Sequence, residues 1–489
     1  MKRFLTLMMV IAVLCGFSGT ALAEEPVHLI WWLFTVNDVP ADWPEVEAAM
    51  NEISQRELGV TCEFKFFNNE QINRAVQVGE YFDIAFTCDW FNDYATNVSN
   101  GMFLELTDLL NEYGQQLLVD LPEDIWEGVK VNGGIYGVPH LKDYAYDVFW
   151  ILRSKFFEDE LGLIPEEHKQ ISIEEMETYL AKYKEMYPDD YPIKVSRGGL
   201  TSWSNCLVDW LSMNYYIGLD WDLQGTAEQY TVKCALDVPR FVDRLKVFHS
   251  WYEKGYINPD AAVIDSMPRV TRGVVQSGQG WFGYETMCAT NLQDECFVAN
   301  IEGPSMNSSS IRGAISAICA YSEHPVEAMQ LINLMNTNQE YRTLATFGIE
   351  GKHYEVVEPG VVRRTELGIQ NMNNNNYVHG SSVLCPLEAS QFEGMELDTK
   401  QYENMIERYE TQAEKSVALG FSFDVTPVVD QCLALASVWS QYINELQTGT
   451  SDPEVVIPQL KAELEAVGLN DVLAECQAQL DAFIALKAA

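Results

Sequence analysis

The early part of this 489-residue chain alternates between strand and helix patterns, and this alternation constrains the fold more than any other feature. Buried or half-buried strand patterns are separated by amphipathic segments, with strands predicted at 27–34, 61–66 and 82–86 and helices at 42–59 and 70–78. A β-α-β-α-β order predicts a mostly parallel sheet covered by helices. Ligands of such sheets bind beyond the carboxyl ends of the strands. Here those ends lie near residues 33–35 and 87–90.

The rest of the chain is predicted to be mainly helical, apart from one hairpin and one further strand. Asn132-Gly133 stands between two apolar runs, which is a strong hairpin signal, and 145–152 has a strand pattern. Capping and periodicity predict helices at 172–186 and 239–254. Three helical segments after residue 426 predict a helical C-terminal region.

The first 23 residues have the pattern of an export signal. Lys2 and Arg3 give a positive start, 4–15 is apolar, and Ala21-Leu22-Ala23 is a small-residue cleavage site. We therefore expect an exported protein, extracellular or attached to the cell envelope (periplasmic in a Gram-negative cell), with cleavage after Ala23. The alternative is a retained anchoring helix, but about 12 apolar residues are too few to cross a ~30 Å hydrocarbon layer.

Length, charge and cysteine usage exclude several classes of function. Without the signal, the chain is still too long for one compact core, which predicts two or three domains. Its formal charge of −41 makes nucleic acid an improbable partner, because phosphate binding needs basic patches. The 11 cysteines and seven histidines are scattered, without a C-x-x-C pair or an H-E-x-x-H motif. We expect buried cysteines, no catalytic metal and no cofactor.

Aromatic residues are abundant, at 12% of the chain, and several stand next to polar side chains where strands end or connections begin. The apolar face of a sugar ring stacks on an aromatic ring, while its hydroxyl groups need hydrogen-bond partners. This combination predicts a sugar site. The candidate ligand-binding residues are Trp32, Asp89, Trp90, Tyr144, Trp203, Trp281, Tyr284 and Glu285.

Five motifs, in this order, resemble those of the extracellular solute-binding proteins of ABC transporters. The similarity lies within the carbohydrate-binding group, in a lipoprotein subgroup of Gram-positive bacteria, and covers essentially the whole chain after the signal. Each motif is weak alone, but their order makes the resemblance specific. The matching segments are 101–110 (GMFLELTDLL), 131–139 (VNGGIYGVP), 322–329 (SEHPVEAM), 347–354 (FGIEGKHY) and the closing region that contains 420–424 (GFSFD) and 475–480 (ECQAQL).

The resemblance implies a two-lobed α/β fold of the periplasmic-binding-protein type (type II), with hinge strands between the lobes and a helical C-terminal region. It implies crossings between the lobes near Pro139, Trp281 and Ile315. The expected boundaries are 24–141 plus 282–314 for the first lobe and 142–281 plus 315–489 for the second.

In function, the resemblance implies a non-enzymatic component of an ABC importer that captures an oligosaccharide between the lobes. The expected partners are this solute and a membrane permease, and the protein itself is expected to be a monomer. Asp89 is expected to accept sugar hydroxyl groups, and Trp90 and Trp281 to stack on ring faces. Tyr144 and Trp203 are expected to contact the ligand from the opposing lobe.

Three alternatives remain open at this point. In the first alternative, the protein has the same fold but binds a peptide or an amino-sugar derivative. In another, the protein is a secreted glycoside hydrolase, with Asp89 and Glu285 as two carboxylates about 5 to 9.5 Å apart. The third concerns the N-terminus, because relatives in the subgroup carry a lipid on a cysteine. Cys15 follows the bulky Leu14 where a lipidation motif needs a small residue, so cleavage after Ala23 is the prediction.

Overall fold

The computed structural model describes residues 26–35, 38–140, 142–282, 285, 288, 294–359, 361–372, 391–392 and 399–487. The predicted signal, with Cys15 inside it, lies outside the described residues. The predicted ligand residue Tyr284 lies outside them as well.

The strands form four sheets, and most of the longer strands coincide with predicted ones. The strands are β1 (Val27–Phe34), β2 (Val60–Phe67), β3 (Ile84–Thr87), β4 (Val138–Pro139), β5 (Tyr146–Arg153), β6 (Asp209–Ser212), β7 (Ile217–Leu219), β8 (Lys233–Cys234), β9 (Val274–Gln279), β10 (Cys296–Met306), β11 (Ile315–Ile318), β12 (Tyr354–Glu358), β13 (Val361–Arg364), β14 (Gln391–Phe392) and β15 (Glu414–Lys415).

The helices confirm the two predicted near the N-terminus and the three predicted at the C-terminus. No helix of the described part is both long and apolar enough to cross a bilayer. The helices are α1 (Trp43–Leu58), α2 (Asn69–Val78), α3 (Tyr94–Ser99), α4 (Thr107–Tyr113), α5 (Gln115–Asp120), α6 (Glu123–Val129), α7 (Ile173–Met186), α8 (Pro239–Glu253), α9 (Ser308–Ile311), α10 (Pro325–Thr337), α11 (Gln339–Phe347), α12 (Glu366–Met372), α13 (Thr399–Gln412), α14 (Val429–Gln447), α15 (Pro453–Ala466) and α16 (Leu469–Lys487).

The first sheet has the order β2-β1-β3-β11-β4, in which β1 pairs in parallel with both β2 and β3. This is the parallel arrangement that the early sequence pattern predicts. β11 comes from far along the chain and lies antiparallel between β3 and β4, with Ile315 opposite Thr87. The sheet belongs to a hydrophobic core that includes Trp31, Tyr94 and Met335, and this core defines the first lobe.

The second sheet has the order β15-β10-β5-β9 and lies at the centre of the second lobe. β10 pairs antiparallel with β5, and β5 pairs antiparallel with β9. The core on this side includes Trp150, Phe241, Trp251 and residues of α14, α15 and α16, among them Trp439. The C-terminal helices therefore complete the second lobe. Two cores of this kind confirm the predicted two-lobed α/β fold.

The expected lobe boundaries are wrong in two places. β10 lies in the second sheet and β11 in the first, the reverse of the expected assignment of 282–314 and 315–489. Trp281 is not at a crossing, because the strands on either side of it, β9 and β10, both belong to the second sheet. The connections between lobes run through 140–145, 307–314 and 413–418. Local patterns predict a strand but not its partner, which distant residues determine.

The predicted hairpin at Asn132-Gly133 forms only as a tight turn. The backbone N–H and C=O groups of Val131 and Gly134 bond to each other at 3.0 and 3.1 Å. Asn132 and Gly133 both have positive φ, at 51° and 84°, which these residue types tolerate. The chain after this turn does not pair with the chain before it, because β4 pairs with β11 instead.

Candidate ligand-binding cleft

A cavity of about 400 Å³ lies between the two lobes, where the connections cross. Its size is within the range of about 300–1,000 Å³ that is typical of small-molecule sites. Residues from the loop after β3, from the crossings and from a hairpin of the second lobe surround it. The lining residues that matter for the chemistry are Asp89, Trp90, Asp93, Lys142, Tyr146, Met213, Asn214, Tyr215, Gln279, Ser309, Arg312, Ser422 and Phe423.

Trp90 offers a flat apolar surface on the first-lobe side of the cavity. Its indole Nε1 donates a hydrogen bond to the Gly313 carbonyl at 2.9 Å, which fixes the plane of the ring. The ring lies nearly perpendicular to that of Phe34, with centroids 4.9 Å apart. Trp90 is nevertheless 51% exposed and lines the cavity. Such a ring, supported on one side and open on the other, is suited to stacking against a sugar.

The loop that carries Trp90 is held by asparagines. Asn92 adopts a left-handed conformation, with φ of 50°, which Asn tolerates better than most residues. Its side chain donates to the Phe86 carbonyl at 3.1 Å, and Asn97 donates to the Asn92 carbonyl at 2.9 Å. The loop leaves the carboxyl end of β3, the location that the parallel-sheet argument predicts.

Asp89 is a half-buried carboxyl group at the edge of the same cavity. Burial raises the pKa of this carboxyl to about 7, against the opposing attraction of Arg312. The neighbouring Asp93 also raises the pKa of Asp89, while a hydrogen bond from Ser309 lowers it. Near neutral pH the group therefore changes between an ionised acceptor and a neutral form that can donate.

Arg312 is a buried cation beside Asp89 that joins three segments of the chain. Its Nε donates to the Gly128 carbonyl at 2.9 Å, and its Nη2 donates to the Lys130 carbonyl. These carbonyls lie at the C-terminal end of α6, where a positive charge is favourable. Its Nη1 donates to Ser422 Oγ at 3.3 Å. Three of its donor groups thus hold the crossing in place.

The second-lobe side of the cavity is built by β6, β7 and the 3₁₀ turn Met213–Tyr215 between them. We call these residues, 209–219, the cleft hairpin. Tyr216 has a φ of 56°, which is unfavourable for a residue with a large side chain. Its ring stacks on Trp439 of α14 at 4.0 Å with an interplanar angle of 21°. This contact supports a backbone conformation that places Met213 and Tyr215 at the cavity.

Ser422, Phe423 and Val425 also line the cavity, from the segment that follows the last crossing. Sequence reasoning did not select them as ligand residues, although the GFSFD segment was a recognisable motif. The cleft hairpin was missed as well. It lacks an Asn-Gly or Asp-Gly pair, so its turn carries no strong local signal.

Three predicted ligand residues lie in the hydrophobic cores and do not line the cavity. Trp32 is 1% exposed and contacts Phe82, with ring centroids 4.4 Å apart. Tyr144 is 1% exposed, and its ring contacts Tyr409 in the core of the first lobe, not the opposing lobe. Trp203 is 7% exposed and packs on phenylalanines of α8. Large rings with so little exposed surface cannot stack on a ligand, so these three predictions need correction.

Trp281 and Glu285 are also not among the residues that line the cavity. Trp281 is half-buried and packs against the core of the first lobe. The main-chain carbonyl of Glu285 accepts a bond from Cys296 Sγ at 3.6 Å, beside a small core on the outer face of the second sheet. Of the predicted ligand residues that the structure describes, Asp89 and Trp90 are brought together at the cavity.

Two further predictions concern residues outside the cavity, namely that the cysteines are buried and that there is no catalytic metal site. The nine described cysteines are all buried, as expected. Within the described ranges, no group of three or more His, Cys, Asp or Glu side chains is arranged to hold a metal ion.

Comparison with known proteins gives matches over nearly the whole chain. A carbohydrate ABC transporter substrate-binding protein of Streptococcus pneumoniae serotype 4 is 26% identical over 476 residues, which cover 92% of this chain and 90% of that protein. A family model described as a domain of unknown function, DUF3502, matches residues 417–485. Those residues include the cavity-lining segment at 422–425 and all three C-terminal helices.

The fold matches that of NgtS, an N-glycan transport solute-binding protein from Streptococcus pneumoniae. Its crystal structure superposes with a TM-score of 0.80 at 24% identity, covering 94% of this chain and 100% of that one. The complex of NgtS with Man5GlcNAc gives a TM-score of 0.70 at 23% identity, covering 94% and 99%. The chain is thus similar in sequence to a carbohydrate ABC transporter substrate-binding protein, and it shares the fold of NgtS.

Proposed function

We propose that this protein captures an oligosaccharide in the cleft between its lobes and delivers it to the membrane permease of an ABC importer. The observation that carries the proposal is the open face of Trp90, with Asp89 beside it and the cleft hairpin opposite. The relatives named for carbohydrate and N-glycan binding support the same class of solute.

The chemistry of the cavity suits a sugar better than an apolar ligand. Rings from both lobes, Trp90 and Tyr215, provide apolar faces, while Asn214 and Ser309 add amide and hydroxyl groups. Hydroxyl groups of a sugar lose water on binding and therefore need such partners. Because the lining comes from both lobes, a bound solute contacts both and favours the arrangement in which they are close.

Isothermal titration calorimetry with a panel of oligosaccharides tests the proposal. We expect at least one oligosaccharide to bind, and Trp90→Ala to weaken that binding at least tenfold. Tyr321→Ala is a matched control, because Tyr321 is 77% exposed and does not line the cavity. A thermal-shift screen gives a second readout, since a ligand at 100 times its Kd adds about 2.7 kcal/mol of stability. Unchanged affinity in Trp90→Ala would reject the stacking site, and peptide binding alone would reject the sugar.

The proposal includes no chemical reaction. Transport requires different affinities in the open and closed states, whereas catalysis requires stabilisation of a transition state. Of the carboxylates considered for a hydrolase, Asp89 lines the cavity, while Glu285 is not among its lining residues. Incubation of the purified protein with each bound oligosaccharide, followed by mass spectrometry, tests this point. Release of a shorter product would overturn the binding-protein interpretation.

We further propose that the protein is exported, processed after Ala23 and active as a monomer beside the membrane. Mass spectrometry of the mature N-terminus tests the processing, and Glu24 is the expected first residue. A lipid on Cys15 would contradict it. Light scattering after size-exclusion chromatography tests the monomer, for which a dimer mass is the contradicting result.

A further inference from the structure

Among the described residues, the charged groups that line the cleft are two carboxylates and two cations: Asp89, Asp93, Lys142 and Arg312. The formal charges of these four groups sum to zero. Their bonding partners, however, differ in a way that decides which charge a ligand meets.

Both cations use several of their hydrogen-bond donors within the protein itself. Lys142 Nζ donates to the Asp143 carbonyl at 3.0 Å and lies 3.3 Å from Asp143 Oδ1. Arg312 donates to two main-chain carbonyls and to Ser422, and it is only 4% exposed. The partners of Arg312 are uncharged and leave its positive charge in place, whereas the carboxylate of Asp143 offsets the charge of Lys142.

With Lys142 offset by Asp143, two cleft carboxylates, Asp89 and Asp93, stand against the single cation Arg312. Asp93 accepts from the Thr96 backbone N–H at 2.8 Å and so caps a short helix, an interaction that leaves its negative charge in place. Asp89 forms no ion pair with any other residue that the structure describes, and Arg312 acts on it through space. When Asp89 is ionised, an anionic group in the cleft meets it as a like charge, and a like charge in a partly dehydrated site is costly.

We propose, on the basis of the proposed sugar-binding function, that the cleft selects uncharged oligosaccharides and rejects those that carry carboxylate or sulfate groups, with Asp89 as the residue that discriminates. Protonated amino sugars are compatible with the same site. The formal charge of −41 for the whole chain acts in the same direction, because it repels anions before they reach the cleft.

The discrimination is expected to depend on pH. The ionisable groups that face Asp89 are Arg312, Lys142, Asp93, Tyr94 and Tyr146. Burial raises the pKa of both phenols, so they stay neutral around pH 7, whereas the pKa of Asp89 is about 7. Asp89 is mostly protonated below pH 7 and mostly ionised above it. Rejection of acidic sugars should therefore strengthen as the pH rises from 6 to 8.

The test compares neutral and acidic oligosaccharides of equal length and linkage by calorimetry. Suitable probes are β-1,4-linked mannotriose, cellotriose and chitotriose (the N-acetylated form), each paired with a counterpart oxidised to the carboxylate at C6. At pH 8 the acidic member of a binding pair should bind at least tenfold more weakly, and the ratio should shrink at pH 6. Asp89→Asn should reduce this ratio and its pH dependence, while Asp108→Asn, an exposed acid outside the cleft, should leave both unchanged.

The possible outcomes separate this inference from the proposed function. Equal or tighter binding of an acidic sugar overturns the inference while the sugar-binding function stands. An Asp89→Asn variant that keeps the full ratio overturns the role of Asp89. Failure of every neutral and acidic probe to bind counts against the sugar-binding function, and the inference falls with it.

Discussion

At the residue scale, Asp209 shows how burial near the crossings changes the chemistry of a carboxyl group. It is 1% exposed in the cleft hairpin, and Ser416, which follows β15 at the last crossing, donates to its Oδ2 at 2.7 Å. Burial raises its pKa to about 7, and the hydrogen bond from Ser416 opposes that shift. An unfolded Asp has a pKa of about 3.9, so between these values the folded protein holds a proton that the unfolded chain has lost.

This difference predicts the sign of a pH effect on stability. Because the native state binds more protons, the contribution of Asp209 to the free energy of unfolding falls as the pH rises from about 4 through 7. Asp209→Asn removes this contribution. The stability of the variant relative to the unmodified protein should rise with pH, by at most about 1.4 kcal/mol per pH unit. Urea unfolding at several pH values measures this difference in the free energy of unfolding. A difference that is constant with pH would contradict a raised pKa of Asp209.

His353 explains one part of the FGIEGKHY motif. Its ring is fully buried, its Nδ1 accepts from the Ile349 backbone N–H at 2.8 Å, and its Nε2 lies 2.6 Å from Asp42 Oδ2. Since Nδ1 is the acceptor, Nε2 carries the proton and donates to Asp42. The motif therefore fastens the loop after α11 to the start of α1.

Loss of this bond should destabilise the first lobe. We expect His353→Ala to lower the free energy of unfolding by about 1–3 kcal/mol, because the Asp42 carboxylate loses a donor in a largely buried place. Glu350→Ala in the same motif is the control, since Glu350 is exposed and its replacement should cost at most about 0.5 kcal/mol. Chemical denaturation of both variants provides the comparison, and equal losses would show that the His353 bond is not what stabilises the loop.

At the element scale, the sequence predicted the three early strands, β5 and the helices α1, α2, α7, α8 and α14 to α16. It did not predict β9, β10 or how the strands are shared between the lobes. The run of buried residues in β1 and the Pro-Gly boundaries of α1 are local signals, and local rules suffice for them. The position of β11 between β3 and β4 depends on contacts across more than 170 residues, which no local pattern encodes.

The same limit applies to the cleft. Asp89 and Trp90 were predictable because they follow a strand of a parallel sheet, where ligands bind. Trp32 and Trp203 have the same residue type and similar polar neighbours in sequence, but their rings point into the cores. Which face of an element a ring occupies follows from packing, so residue type and neighbours alone overpredicted aromatic contacts.

The cleft hairpin gives an element-scale prediction about how one stacked ring positions the ligand residues. Tyr216→Gly relieves the left-handed backbone, because glycine accepts positive φ, but it also removes the stack on Trp439. Relief of the backbone strain gains about 1–3 kcal/mol, whereas removal of the packed ring costs about 3–5 kcal/mol, so the free energy of unfolding should fall. Sugar affinity of the folded variant should also fall, by about tenfold, since Met213 and Tyr215 lose their fixed position. Calorimetry measures the affinity.

Tyr216→Phe is the matched control for this prediction, because it keeps the stacked ring and should bind like the unmodified protein. Unchanged affinity in Tyr216→Gly would mean that the hairpin is positioned by other contacts. A loss in both variants would instead assign the effect to the phenol hydroxyl group. A loss in Tyr216→Gly alone would show that the stack on Trp439 positions the cleft hairpin. Trp439 lies in the segment matched by the DUF3502 model, so that segment would then support the ligand site.

At the scale of the whole molecule, one buried ion pair joins the lobes beside the last crossing. Arg408 lies in α13, whose neighbouring residues Met405 and Tyr409 pack in the core of the first lobe. Its guanidinium bonds to Asp147 of β5 in the second lobe, with Nε to Oδ2 at 2.7 Å and Nη2 to Oδ1 at 3.2 Å. Asp147 has no exposed surface and also accepts from Asn300 at 2.5 Å. The pair therefore couples the two cores.

Breaking this pair should be far more costly than breaking a surface pair. Arg408→Gln leaves the Asp147 carboxylate buried without its cation, which typically costs about 3–5 kcal/mol. Arg197→Gln removes an exposed pair with Asp265 and should cost at most about 1 kcal/mol. The double variant Asp147→Asn/Arg408→Gln should recover part of the loss, because no uncompensated charge then remains.

Calorimetric unfolding should also show whether the two lobes still unfold in one transition. We expect two transitions in Arg408→Gln and one in Arg197→Gln. A single transition with a loss no greater than in Arg197→Gln would mean that packing alone joins the lobes.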